Sequence, residues 1–449
     1  MKNKAFTLVE LLAVIIIIGL LSVIIIPKVQ KKLSESEKNI NESSAYALER
    51  EAENFYIVKK KQDPQFSGCS YDFENKNNTC NGFEFTGKSP KEGILRISKT
   101  GNIEFAIKFE NICYVKRPGS DKISIIEKCA ENLNNLIPEI VSSGDGLYES
   151  TTEPGRLIYR GENPNNYIWL DENNDKNKTT DELYRIISYE TDGTIKVVRN
   201  EKIGEKPWDT TSNRGENDTF CKEKATIGCN IWASQDSMLF NGNIIDEEFY
   251  YQYYENNITT NLTKRGEGQI VTNASLNIFL NEINENQTNY WSSLKTLDKY
   301  IEPHTFNVSG PWYYNGYTGG DKGILKEKEE EKLFNWIGKV GLMSITEYVE
   351  SSINNDCTSV WSSYEYNPEN TQNPCTTNNW AIKDYSQWTM SPRFFNNNYV
   401  WYINTNGKTR FDHTYPRRED LGINPTFYLK SELSIGGIGT ESEPYYIID

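Results

Sequence analysis

The sequence predicts an α+β protein in which a long N-terminal helix packs on a small antiparallel sheet and a larger β-rich α+β domain follows. Three patterns predict this fold. An apolar run from Leu8 to Ile26 continues into an amphipathic helical pattern, and short alternating strands separated by turn residues come next. Residues 153–449 then combine more strand patterns with short helical ones. The length of 449 residues fits two or three domains.

The composition excludes several classes of function. Lys and Arg total 48 and Asp and Glu total 63, giving a net charge of −15. Binding to a nucleic-acid backbone needs a basic face, so we expect no nucleic-acid partner. His304 and His413 are the two histidines, which argues against a multi-histidine metal site or a histidine relay. An aromatic content of 12% argues against wholesale disorder.

The apolar run has the length of a membrane anchor. It approaches the roughly 20 residues that cross a bilayer core and exceeds the apolar core of a secretory signal peptide. No A-x-A-like cleavage site follows it, so residues 7–26 are predicted to stay in the chain as a membrane-spanning segment. Lysines flank the run on both sides, so charge does not settle its orientation.

Glu10 lies inside this apolar run, where an unpaired carboxylate costs about 2–3 kcal/mol or more. The surrounding segment Lys4-Ala5-Phe6-Thr7-Leu8-Val9-Glu10-Leu11-Leu12 resembles the prepilin leader of type IV pilins and type II secretion pseudopilins. The resemblance implies that prepilin peptidase cuts between Ala5 and Phe6 on the cytoplasmic side. Residues 1–5 are then the leader, and Phe6 becomes an N-methylated terminus. Ala5 departs from the family, which usually has Gly there.

The same resemblance implies how the helix takes part in assembly. The Glu10 carboxylate would neutralise the terminal amine of a neighbouring subunit in a bundle of such helices. Pro27 matches a frequent pilin position at which the helix is kinked or locally melted. Other pilins or pseudopilins are the implied partners. The alternative is a plain single-pass anchor in which the glutamate is accidental.

The first module is predicted to comprise residues 6–137. Apolar residues after Pro27 recur at helical spacing, which extends the helix from Thr7 to about Lys60, before Pro64. Two strand pairs then follow, from Gly93 to Ile107 and from Ile112 to Glu127. In pilins, the outer half of the helix packs on such an antiparallel sheet. Residues 138–152, which contain Ser142-Ser143-Gly144-Asp145-Gly146, are predicted to be a linker.

Residues 144–449 resemble a domain of unknown function found at the C-terminus of many Firmicute pilin-like and surface proteins. Matching segments include Gly338-Lys339-Val340-Gly341-Leu342-Met343, Trp388-Thr389-Met390-Ser391-Pro392 and Phe427-Tyr428-Leu429-Lys430-Ser431. Tyr184 and Asn424 stand where Trp and Arg are more usual. The resemblance implies an extracellular surface domain at 153–449 and no defined activity.

All eight cysteines lie beyond the apolar run, and none forms C-x-x-C. An even number of cysteines outside a membrane helix predicts disulfides, which form in an oxidising compartment. Both domains are therefore expected on the outer side of the membrane. Eight cysteines allow 105 pairings. The simplest one joins sequence neighbours, as Cys69–Cys80, Cys113–Cys129, Cys221–Cys229 and Cys357–Cys375. Structural zinc is the weaker alternative, because histidines and close cysteine spacing are lacking.

Two further patterns are candidate binding sites. Asp171, Asn173, Asp175 and Glu182 have the spacing of calcium ligands in an EF-hand loop, although Lys176 occupies the position that needs Gly. The favoured interpretation of this segment is a long polar hairpin loop. Apart from calcium at this loop, no cofactor is expected. The aromatic runs at 249–254 and 312–317 suit recognition of sugars or a partner, but core packing is favoured.

These patterns predict an exported pilin-like subunit of a type IV pilus or pseudopilus. It would lie in the cell membrane as a single-pass protein before assembly and at the cell surface or in the pilus afterwards. The bulk of residues 153–449 favours a minor or tip subunit whose outer domain binds a surface, a glycan or another protein. No catalytic motif is present, so no enzymatic activity is expected. The alternative is a membrane-tethered surface protein or polysaccharide hydrolase that never joins a filament.

Overall fold

The structure is a computed structural model that combines an N-terminal helix with a β-rich remainder. The described residues are 8–74, 78–99, 101–117, 120, 122–126, 138, 140–172, 182–210, 230–234, 237–240, 243–244, 273–282, 289–308, 334–357, 374–392, 399–410, 416–433 and 435–447.

Helix α1 extends from Leu8 to Gln62, two residues longer at its end than the sequence predicts. It passes through Pro27 without interruption, although proline cannot donate the amide hydrogen bond of that turn. The family resemblance implies a kink or local melting at Pro27; the helix shows no local melting there, and the kink stays a prediction. Three lysines in the last turn stabilise the helix by interacting with the negative end of its dipole. Pro64 follows two residues after the helix ends.

Five antiparallel strands form a sheet in the order β1-β2-β3-β4-β5. Their bounds are β1 Gly68–Asp72, β2 Glu92–Ser98, β3 Ile103–Phe109, β4 Ile112–Lys116 and β5 Ser124–Ile126. The strand pairs predicted from the sequence are all among them.

This sheet is covered on both faces. One face, with Leu95 and Phe105, packs against Ala45 and Leu48 of α1. The opposite face contributes to a core that it shares with the rest of the chain, through residues such as Ala106, Val115 and Ile126. Because side chains alternate along a strand, β3 supplies both cores. The first module and the outer domain are thus joined by a common hydrophobic interior.

Among its described residues, the outer domain is mostly β-structure with three short α-helices. The helices are α2 Ser275–Asn281, α3 Tyr290–Ser293 and α4 Ile345–Glu350. The strands are β6 Gly146–Glu149, β7 Leu157–Arg160, β8 Tyr167–Trp169, β9 Leu183–Tyr189, β10 Ile195–Arg199, β11 Met238–Phe240, β12 Asn243–Ile244, β13 Ile301–Glu302, β14 His304–Asn307, β15 Phe334–Gly338, β16 Val340–Leu342, β17 Gln387–Pro392, β18 Val400–Ile403, β19 Thr409–Arg410, β20 Pro425–Leu429, β21 Ile435–Gly436 and β22 Tyr445–Ile447.

The largest sheet contains the path β13-β20-β10-β9-β8-β22-β21, with β16 paired to β20 and β7 paired to β9. Strands β9 and β10 are an antiparallel pair joined by the predicted Asp192-Gly193 turn, where Gly193 has a φ of 88°. Glycine adopts this left-handed conformation at no steric cost.

The segment predicted as a linker, 138–152, is partly structured. Strand β6 pairs with β7 over four residues, and Ile140 forms an isolated bridge with Leu147. Residues Gly146–Glu149 therefore belong to the largest sheet. The serine- and glycine-rich composition indicated a loop, but the backbone of Gly146–Glu149 finds partners in the neighbouring strand.

Candidate functional site

The predicted residues of the leader are only partly described. Ala5 and Phe6 lie outside the described residues, whereas Glu10 and Pro27 lie in α1. Within the described part of the chain, no helix meets the length and hydropathy expected of a membrane span.

Arg117 connects the first module to the outer domain. It follows β4 and is buried, with an exposed fraction of 1%. Its Nη2 donates to the carbonyl of Leu433 at 2.5 Å, and its Nη1 donates to the carbonyls of Ser431 and, at 3.5 Å, Gly193. Burial lowers the pKa of Arg117 to about 10. The hydrogen bonds to these carbonyls offset part of the free-energy cost of burying the guanidinium. They therefore fix the position of the first module on the outer domain.

A cavity of about 290 Å³ lies in the outer domain, where the large sheet meets β14 and α4. Its polar walls include Thr305, Asn307 and Asn335, and its deeper part includes Phe306 and Met390. Phe306 is fully buried, whereas Asn307 and Asn335 are half-buried. The cavity thus combines hydrogen-bonding groups near solvent with an apolar floor, as ligand sites commonly do.

Two buried cations meet one carboxylate in the wall of this cavity. The Oε1 atom of Glu347 accepts from Lys196 Nζ at 2.6 Å and from Arg156 Nη2 at 2.5 Å. Arg156 also donates through Nε to Glu190 Oε1 at 3.0 Å and through Nη2 to Ser188 Oγ at 2.9 Å. Burial alone would raise the pKa of Glu347, but Lys196 and Arg156 lower it to about 2. Glu347 is therefore a permanent carboxylate at neutral pH.

A capping box places this carboxylate at the start of α4. Ser344 Oγ accepts from the amide of Glu347 at 3.1 Å, and Glu347 Oε2 accepts from the amide of Ser344 at 2.8 Å. The reciprocal hydrogen bonds satisfy two amides that the first helical turn leaves free. Glu347 therefore both caps the N-terminus of α4 and pairs with the two buried cations.

His304 forms another part of the cavity lining. Its ring stacks on Tyr428 with centroids 3.8 Å apart, and its Nε2 lies 3.1 Å from Asp192 Oδ2. The hydrogen bond from His304 lowers the pKa of Asp192 far below its ordinary value. Asp192 belongs to the turn whose Gly193 carbonyl contacts Arg117. One turn thus contacts both the cavity lining and the joint between the modules.

Two of the expected disulfides are present in the described residues. Cys69 is bonded to Cys80 and Cys357 to Cys375, in agreement with pairing between sequence neighbours. Cys113 is also disulfide-bonded, and Cys129, Cys221 and Cys229 lie outside the described residues. No cysteine of the described ranges is free.

The predicted calcium loop is described only at its ends. Asn173 and Asp175 lie outside the described residues, whereas Asp171 is half-buried and Glu182 is buried at the start of β9. In the part of the chain that the structure describes, no three acidic, histidine or cysteine side chains form a metal-binding group. Calcium binding here stays a prediction. Both aromatic runs, 249–254 and 312–317, also lie outside the described residues.

The sequence alone does not identify Arg156, Lys196 or Glu347 as site residues. Their positions along the chain are far apart, and the ion cluster forms only when β10 and α4 meet. One signal was available, because Ser344-Ile345-Thr346-Glu347 has the S-x-x-E pattern of a capping box. That pattern indicates the start of a helix, but it does not indicate that its glutamate is also paired with two cations.

Comparison with known proteins is informative at the N-terminus. Residues 1–26 match the family model of the prokaryotic N-terminal methylation motif. No curated protein and no solved structure matches the chain. The resemblance of residues 144–449 to a domain of unknown function stays a prediction. The matched residues contain the predicted cleavage site and Glu10, and with them the chain carries a type IV pilin-like prepilin leader.

Proposed function

We propose that this pilin-like exported protein is a minor or tip subunit of a type IV pilus or pseudopilus whose outer domain binds a ligand. The observation that carries the proposal is the sheet covered on both faces, by α1 and by the outer domain. Each subunit would therefore bring a bulky head fixed to its assembly helix. Such a head would obstruct dense lateral packing along a filament, whereas a terminal or sparse position accommodates it.

The cavity supports a binding role for the outer domain. Its buried charges are already paired with one another, so they offer no free charge to an ionic ligand. The half-buried amides of Asn307 and Asn335 suit an uncharged group with several hydroxyls. A glycan on a cell surface is therefore the favoured ligand class, ahead of a protein surface.

We propose that the outer domain binds without catalysing a reaction and needs no cofactor. A glycosidase acid needs a raised pKa, whereas the cations around Glu347 lower its pKa to about 2. The alternative of a tethered polysaccharide hydrolase requires another pair of carboxylates. Turnover of a polysaccharide that one Asp or Glu substitution abolishes would favour the hydrolase.

The ligand is tested with the full-length protein and its Asn335→Ala variant on an array of bacterial and host glycans. We expect a selective signal whose affinity falls by about tenfold in the variant, since one lost neutral hydrogen bond costs about 1 kcal/mol or somewhat more. Ile337→Ala, at an exposed position on the same strand, is the matched control and should bind normally. Equal binding by all three proteins would exclude the cavity as the site.

Assembly is tested by replacing Glu10 with Ala in the native host. Losing a charge pair in the apolar environment, worth about 2–3 kcal/mol, should reduce incorporation into filaments by about tenfold or more. Glu35→Ala is the control, because Glu35 lies on the same helix, is exposed and pairs with Lys31 at 4.0 Å. Mass spectrometry of sheared filaments gives the incorporation, and the N-terminal peptide gives the processing. An intact leader with no effect of Glu10→Ala would favour a tethered surface protein.

A further inference from the structure

The side chains of Lys383 and Asn200 meet beside the end of β10, apart from the residues that line the cavity. Lys383 Nζ donates to Asn200 Oδ1 at 2.8 Å, and the two residues are 183 positions apart in the sequence. We propose that Lys383 and Asn200 become joined by an intramolecular isopeptide bond in the mature protein. This covalent bond would tie β10 to the segment that precedes β17.

The reaction balances without any oxidant or other reactant. The neutral amine of Lys383 attacks Cγ of Asn200 and forms the new C–N bond. The bond from Cγ to Nδ2 breaks, and Nδ2 takes one proton from the attacking nitrogen and leaves as ammonia. The product is a secondary amide, so the protein loses one ammonia for each bond formed.

The backbone around Asn200 is fixed, which favours a reaction between neighbouring groups. Its amide donates to the carbonyl of Leu183 at 2.9 Å, and its carbonyl accepts from Asn424 Nδ2 at 3.3 Å. On the other side, Ile382 packs against a hydrophobic cluster next to Lys383. Holding two reactants in contact removes most of the entropic cost of bringing them together.

The surroundings of Lys383 also favour the reactive form of its amine. Burial, aided by the positive charge of Arg185, lowers the pKa of Lys383 to about 8. Arg185 is held there by stacking, with its guanidinium 3.7 Å from the ring centroid of Tyr167. On the order of a tenth of the Lys383 side chains are therefore neutral at pH 7. A single turnover is enough, so this fraction suffices.

An acidic side chain is placed to move the proton. Asn200 Nδ2 donates to Glu201 Oε1 at 3.1 Å, which puts a carboxylate beside the leaving nitrogen. Glu201 would accept the proton from the attacking amine and pass it to Nδ2, as a general base and then a general acid. Glu201 is exposed, so water reaches this side of the site and carries the ammonia away.

The chain contains its own control. Lys88 Nζ also donates to an asparagine oxygen, Asn41 Oδ1, at the same 2.8 Å. Lys88 Nζ is also held in an ion pair by Glu110 Oε1 at 3.7 Å, and its side chain is 39% exposed. We therefore expect no bond between Lys88 and Asn41, although the two contacts have equal lengths.

The experiment is intact-mass measurement and peptide mapping of the reduced full-length protein. We expect a mass lower by one ammonia than the processed sequence requires, and a branched peptide joining Asn200 to Lys383. Peptides containing Asn41 and Lys88 should stay linear. The branched peptide is decisive, because succinimide formation at Asn81-Gly82 would also release ammonia.

Two variants complete the test. Lys383→Arg keeps the positive charge but cannot form the bond, so its intact mass should no longer be lower by one ammonia. Glu201→Gln should slow or prevent bond formation, while circular dichroism shows that the protein stays folded. Linear peptides for both Asn200 and Lys383 in the folded wild-type protein, even after prolonged incubation at pH 9, would overturn the proposal.

Discussion

Replacing Glu347 by Gln should destabilise the folded protein by about 3 kcal/mol, because it leaves two buried cations without their shared carboxylate. Arg156 keeps Glu190 as a partner, but Lys196 loses the carboxylate 2.6 Å away and stays among the rings of Phe306 and Tyr428. Glutamine can retain the hydrogen bond from the Ser344 amide, so the loss reports mainly on charge. Urea denaturation of the detergent-solubilised chain measures it.

The same substitution should change the dependence of stability on acid. The pKa of Glu347 is about 2 in the folded protein against an ordinary value of 4.5, so the folded state binds fewer protons than the unfolded chain. The stability that this carboxylate contributes is complete above about pH 4.5 and is lost as the pH falls towards about 2. Glu347→Gln should remove that part of the acid dependence.

Glu350→Gln is the matched control for Glu347→Gln. Glu350 lies in the same helix and is equally buried, but it accepts from the hydroxyls of Ser150 and Thr151 and from the amide of Thr151. Because a glutamine oxygen can still accept some of those hydrogen bonds, we expect a smaller loss of stability. Equal losses in the two variants would contradict the assignment of the Glu347 effect to its cations.

Replacing Arg117 by Ala should cost about 2–3 kcal/mol and loosen the joint between the modules. The variant leaves the carbonyls of Ser431 and Leu433 buried without their charged donor. The cost of burying the guanidinium disappears with it, which limits the net loss. Urea denaturation measures the loss of stability, and hydrogen exchange shows which segments are loosened.

We expect faster exchange in the Asp192-Gly193 turn and around residues 431–433, on the outer-domain side of the joint. Lys122→Ala is the control, because Lys122 is an exposed residue that follows Arg117 before β5. Arg117→Lys should stay close to Arg117→Ala, since one ammonium cannot reproduce the fork that reaches separate carbonyls. Unchanged exchange in Arg117→Ala would mean that the shared hydrophobic core alone holds the modules together.

Much of the fold could be predicted because its signals are local. The helix, the strand pairs between Gly93 and Glu127, and the Asp192-Gly193 hairpin follow from spacing and turn residues that lie within a few positions of one another. For the same reason, the sequence did not indicate the strand within the predicted linker at 138–152. Its composition is that of a loop, whereas Gly146–Glu149 gains its hydrogen bonds from β7.

The ion cluster and the joint could not be predicted, because their residues are distant in sequence. Arg156 and Glu347 are 191 positions apart, and Arg117 and Leu433 are 316 positions apart. From sequence alone, a single arginine or glutamate is predicted to lie on the solvated surface, since charged residues are rarely buried. Only the tertiary contacts reveal that these residues are buried and paired.

The sequence by itself determined the N-terminal leader, because the methylation motif is a short contiguous segment in which Glu10 interrupts an apolar run. It also determined that α1 is long and amphipathic and that strands follow. The tertiary structure alone decided that the outer domain covers the free face of the first sheet, because burial of Ala106, Val115 and Ile126 depends on surfaces brought together across the chain. Contiguous signals survive in a linear sequence, whereas shared cores and buried charge pairs exist only after the chain has folded.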